Sequence, residues 1–253
     1  MSKQIIVVVN QKGGVGKTTT AINVAANLAS ESRSVLLVDF DPQGNTTSGL
    51  GFTKDGLDGG SYDVLCRGVS LAHAVQESRI PGLYVLPSNA DLAAAEIELV
   101  NQEDREFKLE RALKTATYDY IIIDCPPSLG LLTVNALAAG NWVLIPVQAE
   151  YYALEGLGQL LQTIQRVREV INPSLELLGV VLTMFDKRTS LSEQVQQELK
   201  KYFGEKLFKT VVPRNIRLAE APSFGKTIFE HDRWSKGARA YKQLAKEVQK
   251  RAN

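Results

Sequence analysis

The chain has few of the residues that build disulfide frameworks or metal clusters. Its 253 residues include two cysteines and two histidines. Cys66 and Cys125 form no C-x-x-C pair, which argues against a disulfide scaffold and favours a reducing compartment. With so few thiol and imidazole groups, we expect no structural zinc site.

Long apolar runs are also missing. No stretch reaches the 18 or so apolar residues of a membrane-spanning helix, so we expect no transmembrane segment. A buried strand is expected from about residue 4, which leaves no room for a signal peptide ahead of it. Apolar residues nevertheless make up 44% of the chain, enough for a large core. These features predict one cytoplasmic domain over residues 1–253.

Charge is distributed unevenly along the chain. Residues 186–253 hold 16 Lys/Arg and 8 Asp/Glu, a net charge of +8, whereas the rest hold 13 and 20, a net charge of −7. A basic C-terminal quarter favours an anionic partner, either nucleic acid or a membrane surface. The alternative is an ordinary solvated surface rich in lysine.

The stretch Gln11 to Thr20 reads QKGGVGKTTT and lies between the apolar run Ile5 to Val9 and a helical pattern from Ala21 to Ala29. Strand, glycine-rich turn and helix in this order are typical of a phosphate-binding loop. Glycines let backbone N–H groups approach phosphate oxygens, and the helix start adds its dipole. Lys17 is expected to reach the β- and γ-phosphates, and the Thr18 hydroxyl to bind Mg²⁺.

Buried strands alternate with helical patterns along the chain, which predicts an α/β fold with a doubly wound, mostly parallel sheet of about seven or eight strands. Strands are predicted at 4–10, 34–39, 82–87, 118–124, 142–147, 177–184 and 210–212. Helices are predicted at 21–29, 62–66, 72–77, 91–99, 104–115, 131–139, 153–170, 191–203 and 236–251.

Carboxylates follow two of these strands. Asp39 ends the strand at 34–39, Asp41 lies in the turn that follows it, and Asp124 ends the strand at 118–124. Ligands of open α/β sheets bind at the carboxyl ends of the strands, so these side chains are expected near the phosphates. The Asp124 carboxylate is expected to hold Mg²⁺, directly or through water.

Several strings resemble the ParA/MinD group of P-loop ATPases. KGGVGKTT resembles the deviant Walker A motif of that group, with Gln11 in place of the usual first glycine and a second lysine, Lys12, before the other glycines. DFDPQGN at 39–45, DCPPS at 124–128 and PRNIRLAEAPS at 213–223 resemble further ParA segments. The resemblance spans most of the chain and implies a P-loop NTPase fold of the SIMIBI type.

The resemblance also implies roles for particular residues. Lys12 would reach across a nucleotide-sandwich dimer to the second subunit's phosphates, and Asp41 would position the attacking water. The loop at 125–130 would sense the γ-phosphate. The residues implied to bind ATP are Lys12, Gly13, Gly14, Val15, Gly16, Lys17, Thr18, Thr19, Glu150, Pro213 and Asn215, the last two against adenine.

A ParA/Soj-type partition ATPase is the function that this resemblance favours. Its ATP-bound homodimer would bind double-stranded DNA non-specifically on the nucleoid, and a ParB-like partner would stimulate hydrolysis. Only about ten residues precede the loop, so we expect no helix-turn-helix for operator-specific repression. The candidate DNA contacts are Arg188, Arg217, Lys226, Arg233 and Lys236, of which the first two match arginines used for DNA in the family.

Three alternatives remain at this level. A MinD-like membrane ATPase needs a C-terminal helix with bulky apolar residues, and the final AKEVQKRAN supplies one valine. The nitrogenase iron protein shares the loop but needs two cluster-bridging cysteines, and neither Cys66 nor Cys125 matches their positions. A ParA-like ATPase that positions another cargo stays open, because the partner protein recognises the cargo.

Overall fold

The computed structural model describes residues 3–150 and 155–253. Their eight strands form one sheet in the order β3-β4-β2-β5-β1-β6-β7-β8. Every neighbouring pair is parallel except β3 with β4. The strands are β1 Gln4–Val8, β2 Val35–Asp39, β3 Gln76–Glu77, β4 Leu83–Leu86, β5 Tyr120–Asp124, β6 Trp142–Gln148, β7 Glu176–Phe185 and β8 Leu207–Pro213.

Helices cover both faces of this sheet. Short 3-10 turns occur at Arg105–Phe107, Gly204–Lys206 and Ala221–Phe224. The α-helices of the described residues are α1 Lys17–Ala29, α2 Asn45–Gly49, α3 Ser61–Cys66, α4 Leu71–Ala74, α5 Leu92–Glu98, α6 Lys108–Leu113, α7 Leu131–Ala139, α8 Glu155–Val170, α9 Ser190–Phe203, α10 Ile216–Glu220, α11 Ile228–Asp232 and α12 Lys236–Ala252.

The centre of the sheet is apolar on both faces. Every residue of β2 and β5 is buried, which is why both read as unbroken Val, Ile and Leu runs rather than as alternating patterns. Since these strands are parallel to β1, the loops that follow all three lie at one edge of the sheet. That edge is where the candidate site forms.

The last helix packs on the body of the protein. The apolar stripe Tyr241, Leu244 and Val248 of α12 is buried in the core cluster that also contains Ile22 of α1. The Tyr241 hydroxyl lies 3.1 Å from the Thr20 hydroxyl, also in α1. This stripe is therefore part of the core and is not available to a lipid bilayer. Within the described residues, no helix is both long and apolar enough to span a membrane.

The alternation of strands and helices is confirmed, but the short helices α2, α10 and α11 were not predicted, and two predicted helices differ locally. The helix predicted at 72–77 is wrong at its end, because α4 stops at Ala74 and Gln76 pairs with Val85 of β4 as an edge strand. The helix predicted at 104–115 begins as a 3-10 turn and ends at Leu113. The start of the helix predicted from Ala153 lies outside the described residues.

Candidate ATP and magnesium site

The loop between β1 and α1 presents an open backbone surface. Gly14 and Gly16 have φ angles of 76° and 86°, which side chains other than glycine adopt at a cost. A Cβ added at Gly13 or Gly14 would meet no atom of the described residues within 4 Å. No side chain caps the N-terminus of α1. Free N–H groups beside open space are the arrangement that phosphate oxygens bind.

Side chains from other strands hold this loop in place. The Thr183 hydroxyl at the end of β7 donates to the Val15 carbonyl at 2.8 Å. Asn10 Nδ2 donates to the Pro146 carbonyl in β6 at 2.7 Å, and Asn10 Oδ1 accepts from Lys12 N at 3.0 Å. Sequence reasoning did not identify Asn10 or Thr183 as supporting residues, although the position of Asn10 two residues after β1 was a usable signal.

The two lysines of the loop have different surroundings. Lys17 is 7% exposed, and its Nζ donates to the Lys12 carbonyl at 3.2 Å. Burial lowers the pKa of Lys17, while the charges of Asp124 and Asp41 oppose this effect. The Lys12 ammonium instead lies 2.6 Å from Glu150 Oε2, and both side chains are nearly half exposed. The ammonium group of Lys17 thus binds the backbone of its own loop, whereas that of Lys12 binds a side chain from another segment.

Two buried carboxyl groups lie beside the loop. Asp39 of β2 and Asp124 of β5 are opposed in the strand ladder, and neither is exposed. Thr47 N and Oγ1 donate to Asp39 Oδ2 at 2.8 and 2.6 Å. The Thr46 hydroxyl donates to Asp124 Oδ2 at 2.7 Å. Helix α2 thus supplies hydrogen bonds to both carboxyl groups, which sequence reasoning did not identify.

Burial makes both carboxyl groups hard to ionise. It raises the pKa of Asp39 to about 7, and the neighbouring Asp124 charge adds to the rise. It also raises the pKa of Asp124 to about 6, where the Thr46 and Thr18 hydroxyls oppose the rise and the Asp41 charge adds to it. A cation placed here would favour the ionised form of both groups.

Asp124 fits a magnesium ligand. Its Oδ1 is buried and accepts no hydrogen bond from the described residues. Mg²⁺ uses one or two protein oxygens and completes its octahedron with water and phosphate oxygens. The free Asp124 oxygen and the nearby Thr18 hydroxyl match that demand. No cluster of three or more His, Cys, Asp or Glu side chains suited to a metal occurs in the described parts of the chain.

Asp41 lies in the tight turn after β2 and is 6% exposed. Gln43 N donates to Asp41 Oδ1 at 2.9 Å, and Gly44 N donates to the Asp41 carbonyl at 2.9 Å. The first bond orients the carboxylate, and the second holds the backbone turn. Its charge raises the pKa of Asp124 and opposes the lowering of the Lys17 pKa, so it belongs to the same electrostatic group.

The residues implied to contact adenine lie at the same edge of the sheet. Pro213 ends β8 opposite Phe185 of β7. Asn215 caps α10, and its Oδ1 accepts from Arg217 N at 2.8 Å. Thr19 lies in the first turn of α1. Tyr151, which follows Glu150, lies outside the described residues.

The candidate DNA contacts are all exposed, and some are already paired. Arg188 donates to both oxygens of Asp186 at 2.9 and 2.7 Å, which holds the pKa of that carboxyl well below its usual range. Arg217 lies 2.9 Å from Glu220. The remaining candidates are Lys226, Arg233, whose guanidinium lies over the Trp234 ring at 5.2 Å, and Lys236 at the start of α12.

The cysteines do not suit a cluster shared between subunits. Cys125 is completely buried, and burial raises the pKa of its thiol well above the usual value. Burial also raises the pKa of Cys66 to about 11. Neither thiol readily forms the thiolate that ligates iron.

Comparisons with known proteins agree with this site. A family profile described as "AAA domain" matches residues 3–177. The chain is 54% identical over 250 residues to the chromosome partitioning protein ParA of Myxococcus xanthus, covering 98% of this chain and 88% of that protein. It is 55% identical over 247 residues to the sporulation initiation inhibitor protein Soj of Bacillus subtilis, covering 97% and 98%.

A solved structure gives the same fold with ligands bound. It is cobyrinic acid a,c-diamide synthase from Mycobacterium smegmatis with ADP and magnesium, at 39% identity and a TM-score of 0.86, covering 97% of this chain and 93% of that chain. Together with the loop geometry and the free Asp124 oxygen, these similarities assign the fold, the reaction and its cofactors. The chain belongs to the ParA/Soj-type partition ATPases of the ParA/MinD family, and it hydrolyses ATP with Mg²⁺.

Proposed function

We propose that this ATPase closes into a homodimer on binding ATP, binds double-stranded DNA without sequence preference in that state, and partitions a chromosome or plasmid with a ParB-like partner. The observation that carries the proposal is the separation of the two loop lysines. Lys17 serves its own loop, whereas Lys12 extends to an exposed ion pair with Glu150. Such a pair stabilises by roughly 1 kcal/mol or less, so Lys12 can exchange Glu150 for the phosphates of a second subunit.

The proposed chemistry follows from the positions of the side chains. The loop N–H groups and Lys17 bind the β- and γ-phosphates, and Asp41 accepts a hydrogen bond from the water that attacks the γ-phosphorus. The bond to the bridging oxygen breaks, and ADP and phosphate leave. Thr18 and Asp124 would hold Mg²⁺, which neutralises charge between the two phosphates when bound. Glu150, Pro213 and Asn215 would complete the nucleotide pocket.

The proposed DNA surface uses the basic C-terminal quarter. Residues 186–253 carry a net charge of +8, and the five candidate residues are exposed. Non-specific affinity falls with salt at a slope of roughly −0.9 per neutralised phosphate. If each monomer makes about 3 contacts, the dimer's slope is about −5, so dimerisation acts as a switch for DNA binding. On this basis the protein acts in the cytoplasm on the nucleoid.

Two further observations favour partition over the alternatives. The relatives named for chromosome partitioning and for Soj are 54% and 55% identical, whereas the cobyrinic acid a,c-diamide synthase structure is 39% identical. The apolar stripe of α12 is buried, which removes the surface that a membrane-bound ATPase needs. We also infer a single domain over residues 1–253, because all eight described strands belong to one sheet.

The test is binding to a random-sequence DNA duplex without nucleotide, with ADP and with ATP, each over a salt series. We expect tight binding with ATP only and a steep salt slope. Lys17→Ala is the matched control, since it should remove ATP-dependent binding and leave the basic surface unchanged. Absence of DNA binding by a hydrolytically active protein in all three states would contradict the proposal, and liposome binding in the same states would then identify a membrane surface.

A further inference from the structure

Arg79 lies in the turn between β3 and β4 and binds two other segments at once. Its Nη1 donates to the Leu50 carbonyl, just after α2, at 2.7 Å. Its Nη2 donates to the Gly225 carbonyl and, at 3.0 Å, to Glu230 Oε2, while Nε donates to Glu230 Oε1 at 2.5 Å. One planar guanidinium therefore joins the end of α2 to the segment that contains α11.

The same two segments also touch through their backbones. Gly51 and Gly225 have φ angles of 85° and 60°, and a Cβ added at Gly225 would lie 2.7 Å from Gly51 Cα. A Cβ added at Gly49 would lie 2.9 Å from the Ile22 side chain and 3.7 Å from that of Pro222. A side chain at Gly225 would collide with Gly51, so the two backbones pack closely here and a shift at the end of α2 would displace the chain around Gly225.

The other end of α2 contacts the ATP site. Thr46 donates to Asp124 Oδ2 and Thr47 donates to Asp39 Oδ2. Helix α2 has five residues, a length of about 7.5 Å at the usual rise. Since Thr46 bonds the carboxylate that would ligate Mg²⁺, a change at that carboxylate would act first on the Thr46 hydrogen bond. Such a short helix transmits a displacement from Thr46 to Leu50 as one rigid piece.

Beyond Arg79, the linkage reaches two candidate DNA contacts. Lys226 directly follows Gly225, and Arg233 directly follows α11. Glu230 completes the capping box of α11, in which Thr227 is the N-cap, because its Oε2 accepts from Thr227 N and Oγ1, both at 2.9 Å. Burial would raise the pKa of Glu230, but the hydrogen bonds from Arg79 and Thr227 outweigh it and lower the pKa. The position of Glu230 thus determines where the α11 segment lies.

We propose that Arg79 is a positioning residue that couples the ATP site, through α2, to the DNA-binding segment at 225–233. This inference rests on the proposed function, because it assigns a regulatory route to the same DNA surface. Without Arg79, ATP still binds at the loop, but the positions of Lys226 and Arg233 no longer depend on the nucleotide. Coupling between two ligands is reciprocal, so DNA also loses its influence on ATP affinity by the same factor.

The test compares Arg79→Ala with Arg111→Ala. Arg111 forms a comparable exposed pair with Asp104 at 2.5 Å in another part of the fold, so its substitution removes the same charge. The quantity measured is the ratio of DNA affinities with ATP and with ADP. We expect about a tenfold fall in this ratio for Arg79→Ala and less than about a twofold change for Arg111→Ala. DNA-free ATP affinity and basal hydrolysis should stay within about twofold of wild type in both. A wild-type ratio in Arg79→Ala would overturn the proposal.

A second variant and a second readout keep the test decisive. Arg79→Lys keeps the charge, but one ammonium cannot reach Leu50, Gly225 and Glu230 together, so the ratio should fall here also. Hydrogen exchange at residues 225–233 should slow with ATP in wild type and not in Arg79→Ala. This readout needs no DNA, so it tests the coupling even where wild type binds no DNA and the proposed function fails. An equal exchange response in wild type and variant would refute the linkage.

Discussion

The carboxyl groups of Asp39 and Asp124 are opposed across the β2–β5 ladder, and both are completely buried. Ionising both places two negative charges side by side without water, and the pKa values rise to about 7 and about 6. Without nucleotide and metal, the folded protein therefore holds protons here that an unfolded chain would release. Bound cations would lower the free-energy cost of ionising both carboxyl groups.

The first prediction concerns stability against pH in the absence of nucleotide and Mg²⁺. The folded pKa of Asp39 lies above its ordinary value of 3.8, so its stabilising contribution is complete below about pH 4 and is lost as pH rises to about 7. Asp39→Asn removes this dependence. From pH 5 to pH 8 the unfolding free energy of the variant should therefore gain about 2 to 3 kcal/mol relative to wild type, measured by urea denaturation. For the control Asp55→Asn, an exposed site, the unfolding free energy should change with pH as it does in wild type. The same pH dependence in Asp39→Asn and wild type would contradict the raised pKa of Asp39.

The second prediction is that Lys17→Ala abolishes ATP binding. Lys17 is the buried cation of the loop, and its loss removes the charge that faces the β- and γ-phosphates. We expect ATP affinity to fall by about 100-fold or more in calorimetry, or about 3 kcal/mol. Exposed Lys114→Ala should bind as wild type does. Retained affinity in Lys17→Ala would refute the loop assignment.

The third prediction separates ATP binding from hydrolysis. Asp41→Ala should bind ATP and accumulate as a dimer, because the turn that holds the water is altered while the loop is intact. Hydrolysis should fall by about 100-fold or more, the usual contribution of a positioned acid–base group. Single-turnover hydrolysis and light scattering measure the two effects. Wild-type turnover would remove Asp41 from the mechanism.

The fourth prediction tests Lys12. In Lys12→Ala, ATP should bind within a few-fold of wild type but the protein should stay monomeric, since the ammonium for the second subunit's phosphates is gone. Glu150→Gln breaks the same 2.6 Å ion pair from its other side and frees Lys12, so this variant should still dimerise with ATP. Analytical ultracentrifugation with ATP distinguishes them. An ATP dimer of normal affinity in Lys12→Ala would make Lys12 an ordinary surface lysine.

The fifth prediction concerns the DNA surface. Arg188→Ala and Arg217→Ala should each weaken DNA binding by the ATP dimer on all sequences, and the salt slope should become shallower by about 1 for every phosphate that is no longer neutralised. Each arginine is paired with a solvent-accessible carboxylate, so its loss should change folding stability little. Arg67→Ala, which breaks an exposed pair with Asp63, is the control. A slope unchanged from wild type would exclude that arginine from the interface.

Local patterns in the sequence were sufficient for the architecture. The apolar run before Gln11 and the helical pattern after it predict β1, the loop and α1, because each depends on neighbouring residues. Unbroken Val, Ile and Leu runs predict central parallel strands. Strand ends in a parallel sheet share one edge, which is why the sequence alone places Asp39, Asp41 and Asp124 together.

The tertiary structure alone decided how those residues are held. Lys12 binds Glu150 from 138 positions away, Thr46 binds Asp124, and Arg79 binds Glu230 from 151 positions away. The raised pKa values of Asp39 and Asp124 also exist only in the fold, because they arise from burial and from the charge of another carboxylate close by, Asp124 for Asp39 and Asp41 for Asp124. The sequence by itself determined most of the strands, the longer helices and the phosphate loop, since these follow from local periodicity, but not β3 or the short helices α2, α10 and α11. Contacts between distant segments determined the chemistry of the site, because desolvation and hydrogen bonding depend on which atoms surround a group in space.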